Sequence, residues 1–175
     1  MQTTLLNPSR IFVYPPSSEC VFAGLKSAPE RQRNPMNGKK ILIVDDDAVV
    51  LSAVSMKLKH EGFETITAVD GSAAVSAVRK SRPDLILLDI TFPPDVAHGG
   101  GVPWDGFLIM SWLQRMDEVK GVPFIVISGG DPAKYEKRAL AAGATRFFHK
   151  PMNSDELLAV IRQALDQRES EPVTA

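Results

Sequence analysis

The chain has 175 residues, 44% of them hydrophobic and 23% charged, with a formal net charge of -1. This is the composition of an ordinary globular protein, long enough for one domain with a substantial core and short for two, and its near-neutrality gives no electrostatic case for nucleic acid. The single cysteine, Cys20, excludes an intramolecular disulfide framework and supplies no metal cluster. No apolar run approaches the ~20 residues of a membrane span and no basic-then-apolar leader opens the chain, so a cytoplasmic protein away from membranes is expected.

Residues 1–38 contain Pro15-Pro16, scattered Ser and Asn, and only short apolar pieces such as "IFVY". They read as a poorly ordered extension. From Lys39 onward, short apolar runs alternate with segments of helical period. "KILIV" (40–44) reads as a strand buried on both faces, and Val50, Leu51, Val54 and Leu58 mark a helix ending at Gly62. "FETITAV" (63–69) is a second strand, after which Asp70-Gly71 turns the chain into a helix that Pro83 stops near Ser81.

"DLILLDI" (84–90) is a third strand. A long loop separates it from a helix carrying Phe107, Met110 and Leu113. "PFIVIS" (123–128) is a fourth strand, followed by a helix with Pro132 in its first turn and Gly143 at its end. "TRFFH" (145–149) is the fifth. The last helix is expected from about Ser154, as its cap, to Gln167, burying Leu157, Val160, Ile161 and Leu165, with 169–175 as a polar tail. Trp104 and Trp112 read as core or loop cover.

Strict βα alternation with almost wholly apolar strands implies an α/β protein: a doubly wound, five-stranded parallel sheet covered by helices on both faces. Ligands of such sheets bind outside the carboxyl ends of the strands. Those ends carry Asp45, Asp46 and Asp47, then Asp89, Ser128 and Lys150. Like charges this close oppose one another's ionisation, whereas a hard divalent cation favours the ionised form of all of them. Oxygen donors without a His or Cys cluster indicate Mg²⁺ rather than zinc. A phosphoryl group suits the remaining parts, with Asp89, alone at the end of a central strand, as nucleophile, Asp45 and Asp46 for the metal, and Asp47 as helix cap.

Four motifs in order, "ILIVDDD", "PDLILLDI", "PFIVISGG" and "FFHKP", make residues 39–168 resemble a response regulator receiver domain of two-component signalling, of the stand-alone type. The resemblance implies a flavodoxin-like (βα)5 fold with strand order 2-1-3-4-5. It implies that Asp89 accepts phosphate, that Asp46 and Asp89 ligate Mg²⁺ with the Thr91 backbone carbonyl, and that Asp45 acts through a water of the ion. Ser128 would be the switch hydroxyl, Lys150 its phosphate-binding partner, and Phe147 the aromatic switch residue. The Lys150-Pro151 bond would be cis. Phosphate would come from a sensor histidine kinase or histidine phosphotransfer protein, selected by helix-one residues such as Ala48, Val50 and Ala53. Output would pass to a protein effector, or into a homodimer, through the fourth helix, fifth strand and fifth helix, because only a polar tail follows the receiver.

One departure from the family pattern is the loop "TFPPDVAHGGGVPWDG" (91–106), longer than the usual turn, where Asp95 and His98 are candidates to gate the pocket. Thr91 and Gly130 occupy the variable positions flanking the phosphoryl group, and Gly130 has no side chain to shield it, so an open site is expected unless the long loop covers it. The chain is not expected to be an enzyme beyond assisting its own phosphorylation and dephosphorylation. Two alternatives are a receiver-like binding module that is never phosphorylated and a haloacid dehalogenase type phosphatase with Asp45 as nucleophile. The second lacks an acidic motif after the lysine strand and leaves Asp89 without a role. A relay shuttle would use the same residues as a switch.

Overall fold

The computed structural model describes residues 38–91 and 106–170, without the side chain of Glu169. Five strands, β1 (Lys40–Val44), β2 (Glu64–Ala68), β3 (Leu85–Asp89), β4 (Phe124–Ser128) and β5 (Arg146–His149), form one parallel sheet in the order β2-β1-β3-β4-β5. The helices are α1 (Ala48–His60), α2 (Gly71–Ser81), α3 (Gly106–Leu113), α4 (Pro132–Ala141) and α5 (Ser154–Ser170). A short 3-10 turn at Asp117–Val119, not anticipated from sequence, buries Val119 between α3 and β4.

Strand periodicity sorts the core into two layers. Leu42, Val44, Ile86, Leu88, Phe124 and Val126 point to one face, where Ala74 and Val78 of α2, Ile109, Met110 and Leu113 of α3, and Ala139 of α4 cover them. Their neighbours Ile41, Ile43, Leu85, Leu87, Ile125 and Ile127 point to the other, against Leu51 and Leu58 of α1 and Leu157, Leu158, Ile161 and Leu165 of α5. Coverage on both faces is why β3 and β4 are buried along their whole length, and each fully buried aliphatic side chain contributes about 1.5–3 kcal/mol. The edge strands β2 and β5 keep exposed positions.

Asp47, Asp70 and Asp131 cap α1, α2 and α4, each accepting backbone N–H bonds through its side chain. At α5 the cap is Asn153 rather than Ser154: Asn153 Oδ1 accepts from Asp155 N at 2.9 Å and Glu156 N at 3.3 Å. An amide oxygen one residue earlier reaches the unpaired N–H groups, and Ser154 becomes the first helical residue. The helix also runs past Gln167 to Ser170, so the tail begins later than expected. Gly62 and Gly143 follow their helices with φ of 93° and 95°, a conformation glycine adopts without strain.

Val50, Val54 and Val160 are only partly buried; Val54 and Val160 pack against the α1 and α5 layer of the core, and Val50 and Val54 line a cleft. Trp112 is 48% exposed and does not serve as core. No helix among the described residues is long and apolar enough to cross a membrane. Residues 1–37, the loop stretch 92–105 with Asp95, His98 and Trp104, and 171–175 lie outside the described residues.

The two ends of that loop are adjacent. Gly106, which opens α3, lies so close to β3 that a Cβ added there would overlap the Ile90 Cα and stand 2.7 Å from the Asp89 carbonyl oxygen. Glycine lets the helix start directly against the strand end.

Candidate functional site

All five strands run the same way, so the ends of β1, β3, β4 and β5 meet on one edge. Asp45 follows β1, Asp89 closes β3, Ser128 closes β4, and Lys150 follows β5. The backbone ties the last two together: Lys150 N donates to the Ser128 carbonyl at 2.8 Å. The Lys150-Pro151 peptide is cis.

Three of these side chains are almost wholly removed from water. Asp45 and Asp89 are each 3% exposed and Ser128 is 0% exposed, whereas Asp46 lies open at the surface. Lys150 Nζ donates to Asp45 Oδ2 at 2.6 Å and to Asp89 Oδ2 at 2.5 Å, bridging the two buried carboxylates. The second oxygen of Asp89 accepts from Thr91 N at 2.7 Å and Thr91 Oγ1 at 2.5 Å. The second oxygen of Asp45 accepts from Asp47 N at 2.9 Å. Ser128 Oγ accepts from Gly130 N at 3.1 Å, which leaves its hydroxyl hydrogen for another partner.

Burial pushes the Asp45 carboxyl above the ordinary aspartate range, and the bonds from Lys150 and Asp47 N only partly oppose it. For Lys150, burial acts to lower the pKa, but hydrogen bonds and charge attraction from Asp45 and Asp89 outweigh it and raise the ammonium above its usual range. Lys150 is therefore a cation throughout the physiological range.

Carboxylate oxygens of Asp45, Asp46 and Asp89 lie within 4.8 Å of one another. Three hard oxygen donors, with no sulfur or imidazole in the group, fit a hard divalent cation such as Mg²⁺. Asp47 faces the other way, its Oδ1 accepting from Val49 N at 2.8 Å as the cap of α1.

Phe147 is partly buried and packs against the core layer beneath α2, α3 and α4, while Phe148 turns to the opposite layer. The space beside Gly130 is not empty. The ring of Tyr135, from the first turns of α4, fills the space a side chain at position 130 would take: an added Cβ would overlap Tyr135 Cε2 and stand 2.7 Å from Cδ2. Nothing in the sequence around Gly130 announces this, because the occluding ring arrives only when α4 folds back over the turn. Gly106 was missed for a related reason: its close approach depends on where α3 lands on β3.

Comparison with known proteins accords with this geometry. The family model described as "Response regulator receiver domain" matches residues 41–162. The chain belongs to the response regulator receiver domain family. It is 35% identical over 131 residues to the transcriptional regulatory protein PrrA of Mycobacterium tuberculosis, covering 75% of this chain and 52% of that one. It is 34% identical over 134 residues to the DNA-binding response regulator MtrA of Mycolicibacterium paratuberculosis, covering 77% and 54%. The receiver thus spans about half the length of these curated relatives. A solved CheY-like receiver domain from Methanospirillum hungatei superposes with a TM-score of 0.67 at 27% identity, covering 78% of this chain and all of that one. Accepting a phosphoryl group as a signalling switch is the general function of this family, whose members are signalling domains rather than classical enzymes and generally bind Mg²⁺ at an acidic pocket.

Proposed function

We propose that Asp89 of this receiver accepts a phosphoryl group from a phosphohistidine on a sensor histidine kinase or histidine phosphotransfer protein, and that the modified domain signals by binding another protein. The observation that carries this reading is the treatment of Asp89. It is buried, yet both of its oxygens are held, one by Lys150 and one by Thr91, with two further carboxylates beside it.

In the transfer, an Asp89 oxygen attacks phosphorus while the bond from phosphorus to the donor's imidazole nitrogen breaks, and the imidazole leaves with that electron pair. Asp46, Asp89 and the Thr91 carbonyl would hold Mg²⁺, with Asp45 acting through a water of the ion. Bound Mg²⁺ supplies positive charge to the phosphoryl oxygens. Lys150 already sits on Asp89 and follows the negative charge onto the phosphoryl group. Ser128 turns its free hydroxyl hydrogen to a phosphoryl oxygen, and Phe147 moves inward as it does so. The face of α4, β5 and α5 then changes its affinity for an effector or for a second copy of the chain.

For the donor, a cleft of about 460 Å³ opens beside Lys150 and Pro151, lined by Val50, Ala53, Val54, Met152 and Leu157. Val49 and Met56, 76% and 65% exposed, extend its apolar surface along α1. An amphipathic helix bearing the phosphohistidine suits this surface, in the manner of helix-in-groove recognition. The protein works in the cytoplasm, with residues 1–38 as an extension preceding the receiver.

The test is intact mass after incubation with acetyl phosphate and Mg²⁺. Wild type should gain one phosphate and Asp89→Asn none. A wild type that stays unmodified with acetyl phosphate and with a panel of phosphorylated histidine kinases would instead support a binding module that is never phosphorylated.

A further inference from the structure

We infer that Tyr135 sets the lifetime of the phosphorylated state by excluding water from the Gly130 flank of the acceptor pocket, an inference that rests on Asp89 being the phosphoacceptor. The geometry behind it is a short chain of contacts. Asp89 Oδ1 accepts from the backbone and hydroxyl of Thr91 at 2.7 and 2.5 Å. The Thr91 methyl lies 3.3 Å from where a Cβ on Gly130 would be, and Gly130 N donates to the buried Ser128 hydroxyl at 3.1 Å. Residue 130 therefore stands between the two groups that flank the acceptor, and it contributes no side chain.

The volume is occupied all the same. The Tyr135 ring fills the position of the absent side chain, close enough that any larger residue at 130 would collide with it. The ring is held from behind. It stacks on Phe107 of α3 with centroids 6.2 Å apart and planes at 28°, and the Arg138 guanidinium lies 3.9 Å over the Phe107 ring. Lys134 Nζ lies 5.0 Å from the Tyr135 centroid. Two helices thus hold one aromatic edge against the turn after β4. The glycine and the tyrosine form a complementary pair in which Tyr135 supplies bulk that would otherwise come from residue 130.

Loss of the phosphoryl group requires a water oxygen to attack phosphorus while the bond to the Asp89 oxygen breaks. The carboxylate leaves with its electron pair, and the products are inorganic phosphate and free Asp89. The ring carbons Cδ2 and Cε2 of Tyr135 beside Gly130 take up one approach for that water. Tyr135 acts by position: its hydroxyl has no part in the chemistry, and phenylalanine should serve as well.

The experiment uses the full chain, phosphorylated with acetyl phosphate and Mg²⁺, freed of donor by desalting, and followed by intact mass over time. Tyr135→Ala should lose phosphate about fivefold or more faster than wild type, a barrier change of about 1 kcal/mol. Tyr135→Phe should match wild type, and Tyr135→Leu should fall between, deciding the matter by itself if the alanine variant does not fold. Adding Gly130→Met to Tyr135→Ala should slow the loss again, because a side chain at 130 can grow into the vacated space. Wild-type decay in the alanine or leucine variant would overturn the inference. So would fast decay that Gly130→Met fails to slow, which would point to loosening of α4 rather than shielding. A wild-type chain that takes up no phosphate at all would instead bring down the phosphoacceptor reading and this inference with it.

Discussion

Asp45 carries the clearest conflict between stability and function at the level of a single residue. Burial raises its pKa above the ordinary aspartate value, so in the folded state its ionised form is disfavoured relative to the unfolded chain. The sign follows: the folded state binds the proton more readily, Asp45 costs stability at neutral pH, and that cost disappears as pH falls through its raised folded pKa. Asp45→Asn in the absence of divalent cations should therefore stabilise the fold at pH 7, by ~0.5–2 kcal/mol, the scale on which functional-site substitutions release stability. Urea denaturation should show the advantage shrinking as pH is lowered, because protonated Asp45 resembles the amide. A variant less stable than wild type at pH 7 would mean that the Lys150 bond outweighs burial.

Much of the site was legible at this scale. Asp45, Asp46, Asp89, Ser128 and Lys150 stand at or just past strand ends, and a parallel sheet brings such residues to one edge by topology alone. The bridging of two carboxylates by Lys150 and the double hold of Thr91 on Asp89 were not legible. They depend on side-chain directions set by packing rather than on spacing along the chain.

At the level of elements, the approach of α3 to β3 is the contact most sensitive to change. An added Cβ at Gly106 would run into the Ile90 backbone, and backbone cannot swing aside as a flexible side chain can. Gly106→Ala should destabilise the protein by about 1–3 kcal/mol or more, the usual effect of overpacking, read as a lower midpoint in denaturant without loss of the two-state transition. An unchanged midpoint would show that α3 can shift away from the strand at little cost. Element starts and ends were mostly readable from sequence, because aspartate caps, Pro83 and the glycines at 62 and 143 act locally. The α5 cap was displaced by one residue because Asn153 and Ser154 are both capable caps. Local chemistry could not choose between them.

For the molecule as a whole, cation binding and folding should be linked. A cation held by residues from two strand ends binds the folded chain and not the unfolded one, so Mg²⁺ should raise the melting temperature in a saturable way. At about 100 times its dissociation constant the gain is about 2.7 kcal/mol. Thermal melts across a Mg²⁺ titration should show this shift in wild type and a weakened shift in Asp46→Ala, and an Asp46→Ala titration superimposing on wild type would exclude Asp46 as a ligand.

By itself the sequence determined the order of elements, the two-sided sheet and the acidic edge. Periods of two and 3.6, strand-end residues and caps act over a few positions, and chain handedness leaves few ways to assemble them. Only the tertiary structure decided which side chains touch across that assembly: Tyr135 against Gly130, Gly106 against Ile90, and Lys150 between Asp45 and Asp89. The first joins residues only five positions apart and the last joins residues far apart in the chain, but in each case it is the close packing of elements, which no local pattern encodes, that selects the contact.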